Sequence, residues 1–382
     1  MYLPARRARW YQLAAMNASA LPFRPPARHA ISAQAGLHAI APAPEAAAPE
    51  VTVIVTSHGY ARFLPRALAS VAAQTYPRLS CVIVDDNSPD DSAAVARAWI
   101  AARRDPRFRL IAKQRTEGQL AAIATGLAAG DGPFVALLDA DDMWHPGFLA
   151  AHIGAHLSPL GFAGLSCSDM EIIDAADHRL TGTSGGEGFW PRPGRQDAVS
   201  FTVSPLAQEA GALGAHYLRP DLFRWHWTAT SAMVFRRAML ELVMPDPVPR
   251  GRLCADHYLA QFVHFFGGSI LIDAVLGSYR RHGGNRFACA PVLASRAAIA
   301  PPGRNGANRD NLDTMLCHVL DRRADFAAAF SDRPVRALIG ALAAHQIRVR
   351  GRLLDPRARA VLGRTGLIRA RRREWWRRLS GG

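Results

Sequence analysis

Lysine is almost missing from this chain: Lys113 is the only one among 46 basic residues. Arginine used so uniformly reflects base composition, not a site built for bidentate recognition. Cysteine is also sparse. Cys81, Cys167, Cys254, Cys289 and Cys317 are far apart and odd in number, which excludes a disulfide framework and a zinc cluster. A reducing cytoplasm with inert, structural thiols is expected. No run of about 18 apolar residues occurs, so no membrane-spanning helix is expected. The Arg-bearing N-terminus lacks a compact apolar segment with a small-residue cleavage site, and no secretory leader is read there. There is no fixed-period repeat. Neither G-x-x-x-x-G-K-[ST] nor a G-x-G-x-x-G after the first strand is present, which argues against P-loop nucleotidases and dinucleotide enzymes. The middle of the chain also lacks net charge. The formal total is +15, yet residues 51–332 sum to zero, residues 1–50 carry +3 and residues 333–382 carry +12. A nucleic-acid enzyme spreads positive charge over its working domain, so no nucleic-acid partner is expected.

What is present is a large core. Apolar residues make up 49% of 382, enough for one large domain with extensions. Residues 1–50 are Ala/Pro-rich and read as an extension and linker ending in "APAPEAAAPE". Order begins at "VTVIVTS" (51–57), a β-branched run suited to a strand buried on both faces. Phe63, Leu64, Ala67, Leu68 and Val71 mark the inner face of a helix. "LSCVIVDDNSPDD" (79–91) repeats the design, with Val95, Trp99 and Ala102 expected inward on the next helix. "RFRLIA" (107–112), "GQLAAIATGLAAG" (118–130, closed by Gly130) and "PFVALLD" (133–139) continue the alternation. The fold class is therefore α/β, a mostly parallel doubly wound sheet flanked by helices. Residues 181–225 are expected to be an irregular insert, "TATSAMVFRR" (228–237) a strand and "ADHYLAQFVHFFGG" (255–268) a helix ending at Gly267. "SILIDAVLGSYRRHGGN" (269–285) reads as two short strands and a polar loop, 286–310 as a linker and 311–380 as basic helices.

Ligands of such sheets bind at the carboxyl ends of strands. There the chain gathers Thr56-Ser57, Asp85-Asp86 and the cluster Asp139, Asp141 and Asp142. Two carboxylates about 5 Å apart repel by roughly 3 kcal/mol at an effective dielectric near 20. Such a cluster is solvated, shares a proton or holds a divalent cation. Mg²⁺ or Mn²⁺ suits it, and both are usually completed by substrate phosphates. The plain alternative makes Asp142 or His145 a cap for the helix after Pro146.

"VTVIVTSHGYARFLPRALASVAAQTYP", "VIVDDNSPDD", "EGQLAAIATGLAAGDGPFVALLDADDMWHP", "SAMVFRRAML", "CADHYLAQFVHFFGGSILI" and "YRRHGGN" occur in order over residues 51–287. Together they resemble family 2 glycosyltransferases, which have the GT-A fold. The resemblance implies a donor half (51–145), an acceptor half (146–287) and a helical C-terminal extension (288–382). It implies an inverting enzyme that moves a sugar from a nucleotide-sugar, most simply a UDP-sugar, to an acceptor hydroxyl. Thr56, Ser57, Asp85 and Asp86 would form the base-binding part, with either Asp85 or Asp86 accepting the imide N–H. Asp139 and Asp141, with Ala140 between them, match the Asp-x-Asp pair that meets metal and diphosphate. Asp256 matches the catalytic base; read without the family it is only an acid in the first turn of a helix, favoured there by the helix dipole. His257 is expected to be structural and Trp144 to be packing. Tyr279, Arg280 and His282 fall in a loop expected to close over the diphosphate, with Arg280 and His282 as candidate diphosphate or metal contacts. The chain departs from the family at His58-Gly59, where many members have Tyr-Asn, leaving Tyr60 as the nearby aromatic, and at Ala124, where an Asn is common. It has no Gln-x-x-Arg-Trp signature, which argues against processive synthesis.

"LIRARRREWWRRLSGG" (367–382) sets Trp375 and Trp376 among six Arg. Basic groups with interfacial aromatics suit an anionic membrane surface. Such a tail fits a cytoplasmic protein held at the inner face of the membrane, acting on a carbohydrate or lipid-linked acceptor in cell-surface polysaccharide or glycoconjugate assembly. Two other classes remain: a sugar-nucleotide nucleotidyltransferase, for which "SHGYAR" supplies little phosphate loop, and a non-catalytic binding protein docked on a membrane.

Overall fold

The computed structural model describes residues 48–158, 161–184, 198–203, 205–206, 211–220, 225–249, 254–285, 292–293, 296–297 and 305–350, with 353, 355–364, 366 and 368 beyond them. Most of the N-terminal extension, Cys289 and the Trp-Arg stretch after 368 lie outside the described residues.

Four β-branched runs form the parallel half of the sheet: β1 (Val51–Ser57), β2 (Leu79–Asp85), β3 (Phe108–Ala112) and β4 (Phe134–Asp139). They run side by side in the order β3-β2-β1-β4. Alternate residues serve opposite faces, as strand pleating requires. Val53, Val55 and Ile83 pack with α1 (Leu64–Ala72) and its neighbours, while Ile54, Val82 and Val84 join the core beneath α3 (Gln119–Ala129). Both faces are therefore covered, which is why these strands are apolar throughout. Helix α3 approaches β1 closely through small residues. A Cβ on Gly130 would lie 2.3 Å from Thr52 Cγ2, and one on Gly126 2.5 Å from Ile54 Cγ2.

On α1 the expected residues Leu64, Ala67, Leu68 and Val71 are buried. On α2 (Ser92–Arg103) the buried residues are Ser92 and Ala96. Val95 and Trp99 are only half-buried and Ala102 is exposed, because α2 covers the sheet edge at β3 and Trp99 meets Phe108 edge-on at 4.9 Å.

Beyond β4 the sheet becomes mixed. The order continues β10 (Met233–Arg236), β6 (Leu165–Ile173), β11 (Ser269–Arg280), β9 (Leu213–Leu218), β8 (Ala198–Val203). β10 is antiparallel to β4 and to β6, while β6 and β11 are parallel. β5 (Met143–Trp144) pairs with β11 and β7 (Arg179–Thr181) with β6. Two expectations change here. The stretch 181–225 is not wholly irregular, since β8 and β9 form an antiparallel ribbon that extends the sheet beside β11. Residues 269–280 form one strand instead of two; register shifts at Ile272/Val275 and Val275/Ser278 bend it without ending it.

Helices α4 (Phe148–Leu157), α5 (Arg237–Val243) and α6 (Ala255–Gly267) flank this half. The C-terminal helices α7 (Asn305–Asp321), α8 (Arg323–Phe330) and α9 (Asp332–Arg350) pack on α6 and share its core. Phe262 stacks on Phe326 at 5.4 Å and Phe266 on Phe330 at 4.5 Å. A further helix spans 356–364. None of the described helices is long and apolar enough to cross a membrane.

Candidate active site

The register of the parallel strands assembles the site. Thr56 lies beside Asp139, and Ser57 beside Asp85, all at carboxyl ends of adjacent strands. The Thr56 hydroxyl donates to Asp139 Oδ1 at 2.9 Å, and the Gln119 amide donates to the same oxygen at 2.7 Å. The Ala140 N–H donates to the Thr56 carbonyl at 3.0 Å, turning the chain sharply after β4. Ser57 is buried, and among the described residues its hydroxyl has no partner.

The two acids at the end of β2 have different surroundings. Asp86 accepts from the backbone N–H groups of Glu117 and Gly118 and pairs with Lys113 Nζ at 2.8 Å. The single lysine is thus a buried counter-charge that ties β2 to the segment before α3, and it also meets Glu117 at 2.9 Å. The Asp85 carboxylate accepts only from Ser88, at its N–H (3.0 Å) and hydroxyl (2.5 Å), among the described residues. Its neighbours Ser57 and His58 lead into the loop at Gly59, which has φ +82.

Asp142 is not a helix cap. The N-cap of α4 is Gly147, with no side-chain bond. Asp142 is buried, accepting from the Ser231 hydroxyl (2.6 Å) and the Arg280 N–H (2.8 Å). Ser231, in the short 3-10 turn Thr230–Ala232, is a hub: its hydroxyl also accepts the Asp139 N–H and its carbonyl accepts the Trp144 indole N–H. Trp144 stacks on Phe148 at 4.2 Å, so it is packing, as expected.

Tyr279 and Arg280 end a strand and do not lie in a closing loop. Arg280 is fully buried. Its guanidinium donates to the carbonyls of Asp141 and Asp174, pairs with Asp177 and sits over the Phe63 ring at 4.9 Å. It braces the acidic turn from behind. His282 follows at the surface of the site, with Nε2 3.1 Å from Asp141 Oδ2 and its ring 4.9 Å from Phe63. Asn285 holds this bend, accepting the His282 N–H and donating to the Arg280 carbonyl. Tyr60 meets the His282 ring edge-on at 5.7 Å.

The acids feel one another. Burial and the Asp141 charge push Asp139 up to about 7 despite the bonds from Thr56 and Gln119. Burial and the charges of Asp141 and Asp139 raise Asp142 well above the usual carboxylate range. Asp256, at the first turn of α6, adds its own repulsion at Asp139 and at the Tyr279 hydroxyl, so it faces the same cluster. Asp256 Oδ1 accepts from the Cys254 thiol at 2.8 Å and the His257 N–H at 2.6 Å. Cys254 is therefore a neighbour of the site and not an inert core thiol, and Cys317 is exposed. Cys81 and Cys167 fit the expectation; burial drives both thiols up, Cys167 to about 12.

Among the described residues no three His, Cys, Asp or Glu side chains surround an ion on their own. The donors present still suit a hard divalent cation. Asp141 and His282 converge, Asp139 lies two positions away with a carboxylate strained by like charge, and Mg²⁺ commonly takes only one or two carboxylates plus phosphate oxygens and water. Sequence reasoning passed over Gln119, Ser231, Lys113 and Asn285. Gln119 and Ser231 lie inside motif stretches, "EGQLAA" and "SAMVFRR", but nothing local marks their partners.

The chain belongs to glycosyl transferase family 2, whose family model matches residues 52–167. It is a glycosyltransferase. It is 32% identical over 247 residues to an uncharacterized glycosyltransferase of Nostoc, covering 64% of this chain and 69% of that one. The succinoglycan biosynthesis protein ExoU of Rhizobium meliloti is 32% identical over 183 residues, 47% of this chain and 50% of that protein. An Escherichia coli UDP-Glc:alpha-D-GlcNAc-diphosphoundecaprenol beta-1,3-glucosyltransferase, WfgD, is 30% identical over 94 residues, 25% of this chain and 36% of that protein.

Proposed function

We propose that the chain is an inverting, divalent-metal-dependent glycosyltransferase that moves a sugar from a nucleotide-sugar, a UDP-sugar in the simplest case, to a hydroxyl of a carbohydrate or lipid-linked acceptor in polysaccharide or glycoconjugate assembly. The observation that carries this reading is the gathering of Asp139, Asp141 and Asp142 just past the carboxyl ends of β1 and β4, where Thr56, Ser231, Arg280 and His282 bond to them, with the charge of Asp256 felt at Asp139. The WfgD relative's printed UDP-glucose donor and lipid-linked acceptor, and ExoU's printed role in succinoglycan biosynthesis, support the choice of substrates.

Asp85 and Ser57 would read the base; Asp86 is already bonded to Lys113 and two backbone N–H groups. Asp139, Asp141 and His282 would hold Mg²⁺ or Mn²⁺, which when bound supplies positive charge for the diphosphate. The buried Arg280 behind them adds positive character where the leaving nucleotide gathers negative charge. Asp256 takes the proton of the acceptor hydroxyl as that oxygen forms its bond to the anomeric carbon. The bond from that carbon to the diphosphate oxygen breaks on the opposite face, so the anomeric centre inverts and the nucleoside diphosphate departs. The Trp-Arg stretch near the C-terminus would keep the enzyme beside a membrane-borne acceptor.

The test is slow hydrolysis of UDP-, GDP- and TDP-sugars with and without Mn²⁺, repeated with Asp256→Asn. Turnover with a UDP-sugar that needs the metal and drops by about 10²–10⁴-fold in the variant is expected. Equal turnover in the variant, or metal-independent turnover, refutes the reading.

A further inference from the structure

Asn311 belongs to α7, beyond the residues matched by the family model. It is fully buried. Its side-chain amide donates to the Cys254 carbonyl at 2.9 Å and reaches His257 Nδ1 at 3.3 Å. Cys254 and His257 bracket Asp256, and they are also the two residues whose thiol and backbone N–H hold Asp256 Oδ1. Both moorings of the carboxylate thus lead to one amide on a C-terminal helix. A buried amide costs free energy unless its bonds are made, and a leucine would fill a similar volume without that cost. The amide is therefore present for its direction. It donates to Nδ1, which makes that nitrogen an acceptor and leaves the His257 proton on Nε2.

We infer that Asn311 is a positioning residue for the Asp256 carboxylate, so that the C-terminal helices complete the transfer site. This rests on the reading of Asp256 as the base. The remaining oxygen, Oδ2, is bonded by no described residue and stays available to the acceptor hydroxyl, while Oδ1 is pinned from two sides. Because Asn311 holds the Cys254 carbonyl on one side of Asp256 and the His257 imidazole on the other, a small rotation of the first turn of α6 moves the carboxylate directly.

The experiment compares wild type with Asn311→Asp, which keeps the shape but cannot donate to the Cys254 carbonyl, and Asn311→Ala. The substrate is whichever of UDP-glucose, UDP-GlcNAc and GDP-mannose wild type hydrolyses fastest. Displacing a reacting group by about an ångström costs on the order of 10- to 100-fold. That loss is expected in kcat, with donor KM unchanged within about twofold because Asn311 touches nothing at the ends of β1, β2 or β4. Nitrogen-15 spectra of wild type should show an unprotonated His257 Nδ1, and both folded variants should lose that signature. Folded variants with wild-type kcat overturn the inference, as does a protonated Nδ1 in wild type, which needs no variant to fold. A wild type that hydrolyses no nucleotide-sugar fails the transferase reading itself; an active wild type with indifferent variants fails this inference alone.

Discussion

Two buried histidines make the stability of this enzyme depend on pH in a way that can be calculated. His152 and His156 lie one turn apart on α4, both essentially inaccessible to solvent. The Ser166 hydroxyl bridges them, 2.7 Å from His152 Nδ1 and 3.0 Å from His156 Nε2. Burial lowers His152 well below its ordinary value, and burial aided by the nearby Arg236 charge lowers His156 to about 3. Both stay neutral when folded, while the unfolded chain protonates them below its ordinary value near 6.5. The unfolded state binds more protons, so stability falls as pH falls. Between pH 7.5 and 5.5 each histidine removes about 1.4 kcal/mol, and the pair about 2.7 kcal/mol. Urea unfolding at several pH values measures the total. Other groups titrate too, including the raised carboxylates Asp139 and Asp142, whose effect has the opposite sign. The informative quantity is therefore the difference between wild type and a His152→Gln, His156→Gln double variant. Whatever offset the substitutions introduce, that difference should shift by about 2.7 kcal/mol over the interval in favour of the variant at low pH. A difference independent of pH would mean that these imidazoles are not buried as neutral groups.

Asp86→Asn should destabilise by about 1–3 kcal/mol, because it removes the carboxylate that accepts two backbone N–H groups and leaves Glu117 as the one carboxylate paired with Lys113; Asp85→Asn should instead weaken UDP binding with a smaller change in Tm, and calorimetry on both separates the roles. Gly130→Ala should cost about 1–3 kcal/mol by thermal unfolding, since its Cβ would fall 2.3 Å from Thr52 Cγ2; an unchanged Tm would show that α3 can lift off β1. Phe326→Ala should cost about 3–5 kcal/mol, because the ring is buried between Phe262 and Phe266; a mild effect would mean that α8 contributes little to the shared core.

The sequence by itself determined the parallel half of the sheet and where its acids fall. A strand covered on both faces has to be apolar at every position, so β1, β2 and β4 announce themselves, and the polar residues that end them mark the carboxyl edge. The helix α6 was equally legible, with Asp256 in its first turn. What the acids do to one another was decided only by tertiary structure. Asp85 and Asp86 are neighbours of the same type, and only the distant Lys113 and the backbone at Glu117 and Gly118 give them different surroundings. Asp142 has the composition of a cap, but Ser231 and Arg280, 89 and 138 residues away, turn it into a buried tie. Arg280 reads as a loop cation, yet the length of β11 draws it into the interior. β8 and β9 escaped notice because an antiparallel ribbon at a sheet edge needs no uniform apolar run. Local periodicity records which face of an element is buried; it carries no record of which distant side chain will be on the other side.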